Sequence, residues 1–139
     1  TCIFLTGSAH IGFSLRKGHD FSSKASDLDI AIVNSDLFVK ILASILEETD
    51  SYNRGFLFKS NATIKNYNEK LIRGVLHPLY FPYEIHFTKD WNRFFRNLTR
   101  ENNKFFNKIT ACIYLSEECF RISQEDSLRK YIETWSIST

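Results

Sequence analysis

Two carboxylates one residue apart, Asp27 and Asp29, open the apolar run Leu28-Asp29-Ile30-Ala31-Ile32-Val33. In an extended strand successive side chains alternate, so this pair is expected on one face and Leu28, Ile30 and Ile32 on the other. Neighbouring like charges on one face repel. A divalent cation removes that repulsion, and Mg²⁺ is commonly held by one or two carboxylates together with substrate phosphates. Upstream, the apolar stretch Phe4-Leu5-Thr6 ends in Gly7-Ser8. Glycine lets the backbone come close to a phosphate, and amides at a tight turn or helix start supply donors. The Ser8 hydroxyl adds a further hydrogen-bonding group. An anion cradle at the end of one strand and an acid pair at the start of the next describe a site for a nucleoside triphosphate with its metal ion.

Gly7-Ser8 followed by Asp27-Leu28-Asp29-Ile30 resembles the signature of the nucleotidyltransferase superfamily that includes DNA polymerase β. Its small bacterial members and the aminoglycoside nucleotidyltransferases look closest. The likeness covers residues 4 to 33 directly, and the order of elements extends it to about residue 115. It implies a Mg²⁺-dependent enzyme, with two metal ions, that moves a nucleoside monophosphate, AMP foremost, from an NTP to a hydroxyl and releases pyrophosphate. Asp27 and Asp29 would hold the metal, while Gly7 and Ser8 would bind the phosphates. The acceptor would be a protein side chain, a small molecule or an RNA end. The resemblance also implies a third acid on a later strand. Glu84, within Tyr83-Glu84-Ile85-His86-Phe87, fits that description as a general base or metal ligand. There a strand would place Phe81, Tyr83, Ile85 and Phe87 on one face and Glu84 with His86 on the other. The spacer from Ser8 to Asp27 is longer than the family's and contains Arg16, Lys17 and Lys24, of which Lys24 is assigned to the nucleotide. A non-catalytic nucleotide-binding domain of the same fold, serving regulation or partner binding, is the alternative.

At 139 residues the chain is long enough for one domain with a real core, and no linker or repeat divides it. Charged residues at 24% and hydrophobic ones at 43% are ordinary for a soluble domain, whereas 13 Phe and 6 Tyr make the expected core unusually aromatic. A net charge of +2 argues against a strongly basic nucleic-acid binder. Cys2, Cys112 and Cys119 cannot all pair and show no metal-type spacing, so reduced thiols in a cytoplasmic protein are expected. No apolar run is long enough to span a membrane. The absence of Met and a start within a strand lead us to expect a further segment upstream.

The elements that must position these residues form an α/β (α+β) pattern, expected to be a mixed sheet with helices packed mainly on one face, as in the polymerase β-like core. Strands are expected at 2–6, 28–34, 54–59 and 83–87, with a short helix at 8–15. The Asn34-Ser35-Asp36 cluster offers an N-cap for a helix over about 36–49 with an apolar stripe from Leu37 to Leu46. Asn61 is expected to cap a helix reaching about Arg73, stopped by Gly74. A long helix is expected from about Asp90 to Asn107, with Arg93, Arg96, Arg100, Lys104 and Lys108 forming a basic ridge on one face. Residues 108–115 read as a final strand or a buried helix, 116–122 as a short helix, and Ser123 with Asp126 as the capping box of another.

Overall fold

The computed structural model describes residues 1–7 and 26–137, and among these there are four strands and four helices. In chain order they are β1 (Cys2–Thr6), β2 (Leu28–Val33), α1 (Ser35–Glu48), α2 (Asn61–Leu71), β3 (Val75–Leu76), α3 (His86–Glu101), β4 (Ile109–Tyr114) and α4 (Glu117–Ser136). The sheet order is β1-β2-β4-β3, with β2 and β4 parallel and both edge strands antiparallel to their neighbours. The expected mixed α/β architecture is therefore present. No helix among the described residues is long and apolar enough to cross a membrane.

Alternation along β4 separates two apolar layers. Ile113 joins Phe38, Ile41 and Ile45 of α1 and Tyr67 of α2 in the larger core, with Trp91 of α3 packed against it. Tyr114 joins Ala31, Val33 and Val75 in the smaller one, covered by Phe120 of α4. Three helices thus lie on one face and α4 on the other. Asp29 shares the parity of Ala31 and Val33, so it belongs to the α4 face.

Local chemistry explains the element starts. The Asn34 side chain caps α1 by accepting from the Leu37 amide at 2.8 Å, and Ser60, rather than Asn61, caps α2 by accepting from the Thr63 amide at 3.1 Å. Gly74, with φ +72°, ends the α2 segment as expected.

Several expectations are overturned. Residues 54–59 form no strand but a 3-10 turn at Gly55–Leu57. That segment follows three left-handed residues, Asp50, Ser51 and Tyr52, and its Leu57 carbonyl accepts from the Tyr83 amide at 3.0 Å. Residues 83–87 are likewise not a strand, because α3 begins at His86. The helical spacing of Phe87 and Trp91, whose ring centroids lie 5.6 Å apart, wins over the period-two alternation read there. The same helix ends at Glu101, so Lys104 and Lys108 lie beyond it and the five-residue basic ridge is broken. Residues 109–114 are a strand at the centre of the sheet. The two C-terminal helices are one, since Ser123 lies inside α4. There Arg121 bridges Glu118 and Glu125 across the supposed break. The expected helix at 8–15 lies outside the described residues.

Candidate functional site

The candidate site lies where β1 ends and β2 and β4 begin. The register pairs Asp29 with Thr6 on one side and with Thr110 on the other. The Thr110 hydroxyl donates to the Asp29 carboxylate at 2.9 Å, and the Thr6 hydroxyl donates to the Asp29 carbonyl at 3.2 Å. Asp27 stands just before β2, where the Asn107 side-chain amide donates to its carboxylate at 3.1 Å. The strand frame extends to this point, since the Asn107 amide donates to the Ser26 carbonyl at 3.1 Å and the Leu28 amide to the Lys108 carbonyl at 2.7 Å. Both acids are half-buried.

Gly7 turns the chain at the end of β1 with φ +65°, a conformation that favours glycine. Its Cα lies so close to Asp29 that an added Cβ would sit 2.8 Å from Oδ2. Two demands therefore converge on this glycine, the left-handed backbone and the contact with the carboxylate. The sequence motif and the geometry meet here: Gly7 and Asp29 are brought together across the β1–β2 pair.

Glu84 is not brought to this site. It lies in the turn before α3, half-exposed, where its carboxylate pairs with Lys89 at 2.9 Å. The opposite end of α3 is the one that meets β4, through the Thr99 hydroxyl and the Ile109 amide at 3.0 Å. A helix of 16 residues is roughly 24 Å long, and most of that length separates Glu84 from the acid pair. The strand neighbour that faces Asp29 is Thr110, a hydroxyl rather than an acid. Among the described residues no group of three His, Cys, Asp or Glu side chains could hold a metal ion. Ser8 and Lys24, assigned to the nucleotide from the sequence, lie outside the described residues.

The sequence does not mark Thr110 and Asn107 as site residues. Thr110 carries a weak signal, a hydroxyl interrupting the apolar run from Ile109 to Leu115, whereas Asn107 carries none. The Asp29 charge also reaches along β4. Burial, helped by Asp29, pushes the Cys112 thiol up to about 12. Cys112 is therefore a protonated thiol at neutral pH, and its reactivity as a nucleophile is correspondingly low. Burial, the Cys112 group and Asp29 similarly hold the Tyr114 hydroxyl near 12, against a hydrogen bond with Ser123 that works the other way.

Comparison with protein-family models, curated proteins and solved structures finds no match to this chain.

Proposed function

We propose that the Gly7, Asp27 and Asp29 end of the sheet binds a nucleoside triphosphate with Mg²⁺. On this reading the protein transfers the nucleoside monophosphate, AMP foremost, to a hydroxyl acceptor and releases pyrophosphate. The observation that carries this reading is the packing of a left-handed glycine directly on the Asp29 carboxylate, two residues along the chain from a second carboxylate that accepts from Asn107.

The donor set fits Mg²⁺, a hard cation that takes few protein carboxylates and keeps water and phosphate oxygens in its remaining positions. When bound, the ion neutralises charge on the triphosphate and aligns the attacking and leaving oxygens. The chain's own residues do the positioning. Asp27 and Asp29 would hold the ion, Asn107 and Thr110 donate to the two carboxylates, and the bare Cα of Gly7 lets the backbone pack against Asp29. Phosphoryl transfer needs little beyond such positioning and electrostatic stabilisation. The acceptor belongs to one of three classes: a protein side chain, a small molecule or an RNA end.

Pyrophosphate release from Mg-ATP in the presence of each acceptor class tests the reading. Release should require Mg²⁺ and fall to background in Asp29→Asn while the fold is kept. Wild-type turnover in that variant would overturn the assignment. One observation favours a second reading, a non-catalytic nucleotide-binding domain for regulation or partner binding: the residue facing Asp29 on β4 is Thr110, not an acid. That reading predicts Mg-nucleotide binding without pyrophosphate release.

A further inference from the structure

We propose a second ligand site, separate from the acid pair, in the groove between the end of α2, strand β3 and helix α4. Its ligand is a small amphipathic anion, an aliphatic or aromatic body bearing a carboxylate or phosphate group.

The groove encloses about 720 Å³, within the range of roughly 300–1,000 Å³ typical of small-molecule sites. Phe38, Leu42, Leu71, Val75, Leu115 and Ile122 give it an apolar lining. Ile122 is 52% exposed, a large apolar side chain left open to solvent in the wall of a cavity. Lys70, Arg73, Arg129 and Lys130 supply the cationic rim, and Asp126 is the acid among the lining residues. That carboxylate is shared by three of the cations, with Lys130 and Arg129 at 2.7 Å and Arg73 at 3.5 Å. Lys70 takes part in none of the ion pairs among the described residues. The rim therefore keeps a surplus of positive charge above an apolar floor.

The fold builds this shape deliberately at Gly74. With φ +72°, that residue reverses the chain between α2 and β3, and an added Cβ would sit 2.5 Å from the Cys119 sulfur of α4. The Gly74 carbonyl accepts from the Leu115 amide at 2.9 Å, tying the reversal to the end of β4. This close approach brings Lys70 and Arg73 of the α2 segment into one groove with Arg129 and Lys130 of α4. A neutral apolar ligand would leave the cations unused, and an inorganic anion would leave the floor unused. An amphipathic anion uses both. Val75 pairs with Tyr114, four residues along β4 from Thr110, and that is about 13 Å of strand. Among the described residues, none lines both sites.

The direct test titrates the intact chain with 8-anilinonaphthalene-1-sulfonate, an aromatic anion that fluoresces when desolvated. Saturable one-site binding is expected, with shifts of the Gly74 and Ser123 amides in a nitrogen–proton NMR spectrum. Lys70→Glu should weaken it at least tenfold, Lys70→Gln less, and Ser123→Trp should obstruct it sterically. Arg93→Glu, on α3, should change nothing. Displacement by decanoate would assign the head group as carboxylate and displacement by 1-naphthyl phosphate as phosphate, and either supports the site. Binding that is absent, or that survives both Lys70→Glu and Ser123→Trp in folded protein, would overturn the proposal.

Discussion

Asp29 is held from two strands at once: Thr110 donates to its carboxylate, and Gly7 presses against the same group from the end of β1. Thr110→Val keeps the shape and removes the donor, so its effect should fall on the site rather than on the fold. Loss of such supporting hydrogen bonds typically costs about 10–100-fold in metal affinity. We expect Mg²⁺-dependent nucleotide binding to weaken by that factor with little change in unfolding midpoint. Calorimetry and chemical denaturation on one preparation separate the two effects. His77 offers a different kind of test. Burial first, and then the positive charges of Lys70 and Lys108, lower its pKa from 6.5 to about 4. As pH falls, the unfolded chain takes up the proton before the folded one. Stability is therefore full above pH 6.5 and is lost progressively as pH falls toward 4. The denaturation midpoint of the wild type should fall across that window, and His77→Gln should flatten the slope. An equal slope in the variant would assign the acid sensitivity to other groups.

Helix α3 shows how an element can depend on a residue far away in sequence. Its N-cap, Ile85, makes no side-chain cap hydrogen bond. Instead, Glu48 at the end of α1 accepts from the His86 amide at 2.9 Å and lies 3.1 Å from the His86 ring nitrogen Nδ1. Burial raises the Glu48 carboxyl, but the amide and ring of His86 outweigh it and hold the group below its ordinary value. A carboxylate at a helix N-terminus also meets the positive end of the helix dipole. Glu48→Ala should therefore destabilise the protein by about 1 kcal/mol, the usual cost of losing a cap, whereas Glu48→Gln should lose less. Thermal or urea denaturation would show it. A midpoint unchanged in Glu48→Ala would mean that water caps the helix equally well. This contact is also the reason that residues 83–87 misread as a strand. The alternation of Tyr83, Ile85 and Phe87 is local and visible, but the capping acid comes from a different helix.

Across the chain, most signals confined to one element are legible and most of those settled by a partner are not. The stripe of α1, the strands β1 and β2 and the Gly74 stop could all be read from the sequence. So could the glycine–acid motif, because the Gly7 and Asp29 residue types already carry the constraint that the structure displays. The 54–59 strand failed because the left-handed run at Asp50–Tyr52 turns the chain in a way that a local apolar pattern does not reveal. The single helix α4 reads as two because Ser123 and Asp126 mimic a capping box, yet Arg121 links Glu118 and Glu125 across that point. Thr110 and Asn107 could not be found as site residues because their role exists only once β4 lies parallel to β2. Glu84 had the right residue type and local pattern, yet α3 carries it away from the acid pair.

Calorimetric titration of wild type and of the Asp27→Asn/Asp29→Asn double variant with ATP and GTP, each with and without Mg²⁺, tests the proposed site most directly. We predict saturable binding to the wild type that requires Mg²⁺, a preference for ATP, and loss of the signal in a double variant whose circular dichroism is unchanged. A wild type that binds neither nucleotide, or a double variant that binds as well as the wild type, would contradict the assignment of Asp27 and Asp29 to the metal.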